Sequence, residues 1–346
     1  MNELNARALA RRIVTSPIRL ACLAAILVIS MAAPVVLSEY WLHVVTEILI
    51  FGLFAMSFNL IYGYMGQISF GHAAFFGLGA YATAITIRGE LAQTGDIGWG
   101  LFLSGILVAP VIAAIAAGAI GWFCVRLTGI YFAILTLSFG ELLYYVVFQW
   151  YGFTGGDDGI QGLRPPAFIL ATEAYYFFTL MVVVVASFVM WTITRSPFGY
   201  ILRAIRENKR RASFLGINVK LYQWVNFVIA GSFAGLAGSL WGPFSRSVAP
   251  GLLGWQKSGE AVFAALIGGA NYFLGPMLGA GVFTFLHAYV TKFTEYWPLT
   301  IGTVILLLVL FRPGGILSFV PDRIWAMPGT AEIKEPKDTQ KKRASA

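Results

Sequence analysis

The sequence predicts an all-α integral membrane protein of about ten transmembrane helices, one or two of them broken or re-entrant at glycine-rich segments. Three observations carry that prediction. Of 346 residues, 58% are hydrophobic and only 12% are charged, against about 25% charged in soluble domains. The apolar residues gather into runs of roughly 20, the helix length that spans the hydrocarbon of a bilayer. The basic residues then fall mainly on one side of those runs.

The runs lie near 18–37, 41–61, 66–87, 101–125, 129–150, 174–194, 222–243, 258–273, 275–291 and 297–311. The first has a rival reading as a cleaved leader. Its length, Pro34 within it and Glu39, Tyr40 and Trp41 directly after it favour a retained helix. The runs at 66–87 and 258–273 are rich in Gly, and the second is short, so these two are the candidates for broken or re-entrant crossings. The organisation is a cytoplasmic segment at 1–17, a membrane domain at 18–317 with a cytoplasmic loop at 195–220, and a flexible cytoplasmic tail at 318–346 that turns polar and basic.

Ten crossings from a cytoplasmic N-terminus leave only Arg88, Arg164, Arg246, Lys257 and Lys292 outside, of 24 basic residues. The rest crowd the N-terminal segment, the 195–220 loop and the tail. This is the positive-inside pattern, and it places both termini in the cytoplasm of a bacterial inner membrane. The net charge of +8 therefore reports topology and lipid contact, not nucleic acid. Lys257 falls in an outside loop ahead of the run at 258–273, so no Arg or Lys lies within a span. A path without a fixed cation suits transient passage of a solute more than a tight pocket for a carboxylate.

The loop SPFGYILRAIRENKRRASFLG, at 196–216, is too polar to span. Ser196 and Pro197 suit the start of a helix and Gly216 suits its end. Ile201, Ile205, Ala212 and Leu215 recur on one face, while Arg203, Glu207 and Arg211 follow at i, i+4 on another. Such a helix lies under the membrane, either held by anionic lipid or acting as a coupling helix pushed by a separate motor protein.

Polar groups within the runs mark candidate sites. Gln67, Ser69 and His72 interleave with glycines, as in broken helices near a midplane, and stand either at a translocation path or gate or as ties between helix ends. Glu141 either borders the path or bonds a neighbouring helix, and Glu47 reaches toward the interface. Gly231 with Gly235, and Gly275 with Gly279, suit close helix packing. Cys22 and Cys124 read as buried, inert thiols. No phosphate-binding G-x-x-x-x-G-K-[ST] loop, catalytic constellation or metal-ligand spacing is present, so the chain is expected to be no enzyme and to bind no cofactor.

Six segments resemble the permeases of branched-chain amino acid ABC transporters. They are NLIYGYMGQISFGHAAFFGLGAYATA at 59–84, LTGIYFAILTLSFGELLYYV at 127–146, TGGDDGI at 154–160, the 196–216 loop with the span after it, GGANYFLGPMLGA at 268–280, and FRPGGIL at 311–317. Their order and the basic tail look most like the LivM-type subunit. The resemblance implies an importer subunit for leucine, isoleucine or valine, although similar permeases carry urea, short amides or small aromatic or aliphatic acids. It implies a LivH-type permease partner, two ATP-binding subunits that hold the ATP, and a periplasmic substrate-binding protein that docks near Asp157 and Asp158. It assigns motor contact to Arg203, Arg206, Glu207, Arg210 and Gly216, in a loop made more basic than the family pattern by Lys209, Arg210 and Arg211. A channel or secondary transporter is the lesser alternative, since it has no need of a coupling helix.

Overall fold

The computed structural model describes residues 30–94, 96–293, 295–311 and 314–319. The expected segment 1–17, most of the run 18–37 and the tail from 320 onward lie outside the described residues. Residues 30–36 are helical. Helix α1 (Glu39–Asn59) passes directly into a π-helical turn at Leu60–Tyr64. Then come α2 (Ala73–Thr94), α3 (Trp99–Cys124), α4 (Ile130–Gln149) and α5 (Thr172–Arg195). Two short helices follow, α6 (Pro197–Glu207) and α7 (Lys209–Phe214). The remainder is α8 (Val219–Ser245), α9 (Trp255–Gly268), α10 (Gly275–Val290) and α11 (Trp297–Phe311). Strands β1 (Ile160–Gln161) and β2 (Ser247–Val248) pair antiparallel, with Ile160 opposite Val248.

Among the described residues, α1 with its π turn, α3, α4, α5 and α8 are long and apolar enough to cross a membrane. Both glycine-rich runs are broken helices. The chain is non-helical from Gly66 to Phe70, and α2 begins only at Ala73. Helix α9 has 14 residues, about 21 Å of rise against a hydrocarbon core of about 30 Å. Ahead of it runs the irregular stretch from Ser247 to Gly254, with a 3-10 turn at Pro250–Leu253. Irregular backbone at this depth must be covered by protein or line a polar cavity. Gly66 and Gln67 accordingly return their N–H groups to Tyr62 and Ile61, at 3.2 Å each.

Helices α1 and α8 form the centre, with α2 and α3 packed along α8. Small residues set those approaches, because helices in lipid associate through close van der Waals contact. Side chains added at Gly231 and Gly235 would strike Ala117 and Ala113 of α3, and one at Gly79 would strike the Gly235 carbonyl. Gly279 of α10 lies equally close to the Ala264 carbonyl of α9. Helices α3, α4 and α5 turn broad apolar faces outward, including Ile115, Ile134 and Phe188.

The two ends of the bundle differ. At the end carrying α6 and α7, Arg126, Arg195 and Arg203 stand over Trp122, Trp191 and Tyr200 at 5.2, 4.6 and 4.5 Å. At the far end, Lys292 stands 4.2 Å above the Tyr40 ring, and Trp41 stacks on Phe285. Paired aromatic and cationic groups of this kind anchor a helix bundle at both interfaces of a bilayer.

The structure corrects one element. The 196–216 loop is two helices, not one. Asn208 adopts an extended conformation (φ −156°, ψ 100°), and its side chain accepts from the Arg211 N–H at 2.9 Å, capping α7. The i, i+4 series through Arg203, Glu207 and Arg211 is therefore interrupted between Glu207 and Arg211. Ser196 takes the N-terminal position of α6, but its hydroxyl donates to the Ile193 carbonyl and caps nothing. Gly216 has φ +81°, the left-handed geometry expected of a helix-ending glycine. Asn208→Ala should loosen α7 by about 1 kcal/mol, read as faster amide exchange over 209–214 with membrane insertion unchanged.

Candidate functional site

The first broken crossing is built into the centre of the bundle. Gln67, Ser69 and His72 are buried. The Gln67 Oε1 accepts from the Gly129 N–H at 3.1 Å, joining the break to the start of α4. The Ser57 hydroxyl donates to the Phe54 carbonyl at 2.6 Å and lies 3.0 Å from His72 Nε2. With that proton committed, Nε2–H is the donor to Ser57, and Nδ1 is left as a bare acceptor. Phe54, Phe58 and Phe75 surround the ring. Neither His72 Nδ1 nor Ser69 Oγ has a hydrogen-bond partner among the described residues. Buried polar atoms without a partner are uncommon in folded proteins.

The second broken crossing meets the first. The Ala73 N–H, opening α2, donates to Ser258 Oγ in the first turn of α9 at 2.8 Å. Both helices thus direct their N-terminal, partially positive ends toward the middle of the bundle. Glu141 of α4, half-buried, accepts from the Trp255 N–H at 3.2 Å. It supplies from a neighbouring helix the cap that Gly254 cannot, and its charge suits the helix N-terminus. Helix α4 touches the other break as well: Gly71 packs against the Thr136 carbonyl and Gly140.

Lys257 is not in an outside loop. Helix α9 starts at Trp255, three residues ahead of the expected run, so Lys257 lies in its first turn, level with the meeting point of the two breaks. Its ammonium contacts Glu260 Oε2 at 2.6 Å and stands over Phe51 and Trp241 at 4.9 and 5.2 Å. The lysine expected in a loop therefore lies in a helix and packs against the rings of α1 and α8. Glu47 of α1 and His287 of α10 lie within electrostatic reach of this pair.

At the α6 end, Arg206 donates to the Gly63 carbonyl in the π turn and to Asn271 Oδ1 at 3.0 Å. Its stem lies against Gly66, whose φ of +71° and crowding both exclude a side chain. Asn271 belongs to the turn between α9 and α10. Arg206 therefore joins α6 to both broken crossings at once. Arg203 folds back onto the carbonyls of Gly199 and Thr194 at 3.3 and 3.4 Å. Glu207 and Arg210 are exposed. Ile205 and Ala212 are buried as the apolar face requires, but Leu215 is 75% exposed and Phe214 89%. These two point away from the bundle, where the spacing had placed Leu215 inward.

At the far end, Asp157 and Asp158 are exposed on a turn of left-handed glycines. The Tyr151 hydroxyl donates to Asp158 Oδ2 at 2.9 Å. That bond and the adjacent carboxylate push the Tyr151 phenol up from its ordinary range. The turn leads into β1, which pairs with β2 at the entry to the second break. Nearby, a cavity of about 470 Å³ is lined by Glu39, His43, Thr172 and Arg246, among others.

Residues 40–311 match the family described as branched-chain amino acid transport system / permease component. The chain belongs to this family. It is 26% identical over 337 residues to the high-affinity branched-chain amino acid transport system permease protein LivM of Escherichia coli, covering 90% of this chain and 77% of that protein. It is 26% identical over 292 residues to the LivH permease protein of the same organism, covering 78% and 91%. The BraD permease protein of Pseudomonas aeruginosa is 25% identical over 285 residues, with the same coverage. No solved structure matches the chain.

In this permease the candidate residues form three groups. Gln67, Ser69, His72 and Glu141 gather around the two breaks, Arg203 and Arg206 with Glu207, Arg210 and Gly216 lie at the α6 end, and Asp157 and Asp158 lie at the far end. Sequence reasoning missed Lys257, Glu260, Ser258, Asn271 and Phe214. The i, i+3 spacing of Lys257 and Glu260 was a visible signal. Their depth was not, because it depends on where α9 begins.

Proposed function

We propose that this chain is a membrane permease subunit of an ABC importer that passes branched-chain amino acids across the bacterial inner membrane. The observation that carries the reading is Arg206, which ties an amphipathic helix at the basic end to both broken crossings. A push on α6 would reach the Gly63 turn and the Asn271 turn together. A channel or secondary transporter needs no such link. The partners are a LivH-type permease, two ATP-binding subunits that supply the ATP, and a periplasmic binding protein that delivers the solute. Arg203, Arg206, Glu207, Arg210 and Gly216 shape the contact with the ATP-binding subunits, with exposed Phe214 and Leu215 as its apolar anchor. Asp157 and Asp158 stand at the periplasmic mouth. Gln67, Ser69 and His72 form the gate, and Glu141 borders the path while holding the start of α9. Both termini are cytoplasmic.

Co-purification in mild detergent tests the assembly, and uptake by the reconstituted complex tests the solute. Recovery of a related permease with two ATPases, and ATP-dependent uptake of leucine, is the expected result. A chain recovered alone that conducts solute without ATP overturns the reading, and uptake of urea or aromatic acids in place of leucine corrects the substrate. Glu141→Gln keeps an acceptor for the Trp255 N–H and removes the charge. It is expected to assemble normally and to slow uptake by about 3- to 10-fold, the loss of roughly 1 kcal/mol. An assembly defect without a transport defect reduces Glu141 to a helix cap.

A further inference from the structure

Four ionisable side chains from three helices come together within the bundle: Glu47 of α1, Lys257 and Glu260 of α9, and His287 of α10. Lys257 and Glu260 form a pair at 2.6 Å, with side chains 16% and 29% exposed. Glu47 of α1 and His287 of α10 are each half-buried nearby. Ionisable groups at this depth are costly and are retained where a polar path needs them. A buried ion pair is also a poor device for stability, because desolvation offsets much of the attraction. Neither residue of the pair is sealed in, and Trp255 and Gln256 in the same turn are exposed. The first turn of α9 can be reached from outside the bundle.

We infer that the Lys257–Glu260 pair is the station at which the charged head of a zwitterionic α-amino acid passes through the permease. An α-amino acid carries an ammonium and a carboxylate on one carbon, and a Lys–Glu pair presents the complementary two charges side by side. The solute head inserts between them. Its carboxylate meets Lys257 and its ammonium meets Glu260, so one ion pair is exchanged for two and no charge is left bare. When the solute leaves, the pair closes again. The pair's own attraction competes with the solute, which keeps residence short, as a path requires and a storage pocket does not. The Phe51 and Trp241 rings hold the Lys257 ammonium by its face-on approach and restrict it to the Glu260 side. The inference rests on the amino acid reading above and deepens it by naming the residues that recognise the head group.

The test uses the complete transporter reconstituted with its binding protein. The double variant Lys257→Gln with Glu260→Gln leaves no orphan charge, so it is expected to assemble and to hydrolyse ATP when the loaded binding protein is added. Leucine uptake should fall by about tenfold or more, with the binding protein's own affinity for leucine unchanged. Glu260→Asp keeps both charges and withdraws the carboxylate by one methylene, and it should raise the KM for uptake by about threefold with assembly intact. Uptake within about twofold of the original in the double variant, an unchanged KM in Glu260→Asp, or loss of assembly in both overturns the inference. Original protein that takes up no amino acid fails the functional reading itself, a result distinct from equal uptake by original and variant.

Discussion

Gly71→Ala is expected to prevent the permease from folding to a monodisperse state, although it adds a single methyl group. The added carbon would meet the Thr136 carbonyl and the Gly140 backbone. Neither can move aside, because both belong to the hydrogen-bonded core of α4. Overpacking against side chains typically costs about 1–3 kcal/mol, and a clash with helix backbone lies at the upper end of that range. Gly71 also closes the break just ahead of α2. A shift there would separate Gln67 from Gly129 and Ala73 from Ser258, the contacts that hold the irregular segment in place. The matched control is Gly89→Ala, inside α2 with open space around it. It should be neutral or stabilising by about 0.5–1 kcal/mol, since Ala favours helix over Gly. Unfolding midpoints and fluorescence-detected size exclusion in detergent check both, and equal behaviour of the two variants would show that Gly71 has room it is not seen to have.

Much of the fold was legible because lipid leaves few choices. A run such as 101–125 or 174–194 can only be a helix, and α3 and α5 follow those limits closely. The glycines of 66–87 and the shortness of 258–273 pointed to breaks, and both breaks are present. Their exact placement was not legible. Hydropathy averages over a turn or more, so it does not reveal that α2 waits until Ala73 or that α9 starts at Trp255. The second of these moved Lys257 from a loop into the first turn of a helix. The division of the 196–216 loop at Asn208 was hidden for a similar reason. Asparagine is tolerated at a helix interior in a periodic pattern, yet its short side chain caps the next helix better than it continues the first. Contacts such as Arg206 with Asn271, or Glu141 with Trp255, join residues more than sixty positions apart, and no local pattern encodes them. The candidate residues Gln67, Ser69, His72 and Glu141 could be picked out by polarity alone, because each is anomalous in an apolar run.

Arg206→Glu should uncouple the permease more severely than any other single change at the basic end. Arg206 hydrogen-bonds both the π turn and the turn after α9. A glutamate there loses two donors and sets a carboxylate against the Gly63 carbonyl and the Asn271 side-chain oxygen, acceptors facing an acceptor. Leaving such groups unpaired costs about 1–3 kcal/mol each, and the link between α6 and the breaks is cut. Uptake should fall by about 100-fold, the equivalent of roughly 3 kcal/mol, while ATP hydrolysis continues without the binding protein's control. Arg206→Lys retains one charge-assisted donor but not the two-pronged geometry, so it should fall between the two. Reversal at exposed Arg210 offers the contrast. Its side chain is exposed, so its effect should fall on assembly with the ATP-binding subunits and should weaken as salt is raised. If Arg206→Glu lost uptake only by losing those subunits, with coupled hydrolysis restored when they are supplied in excess, then Arg206 would be a docking residue like Arg210, and the mechanical link would have to run through Arg203 and its contact with Tyr64 instead.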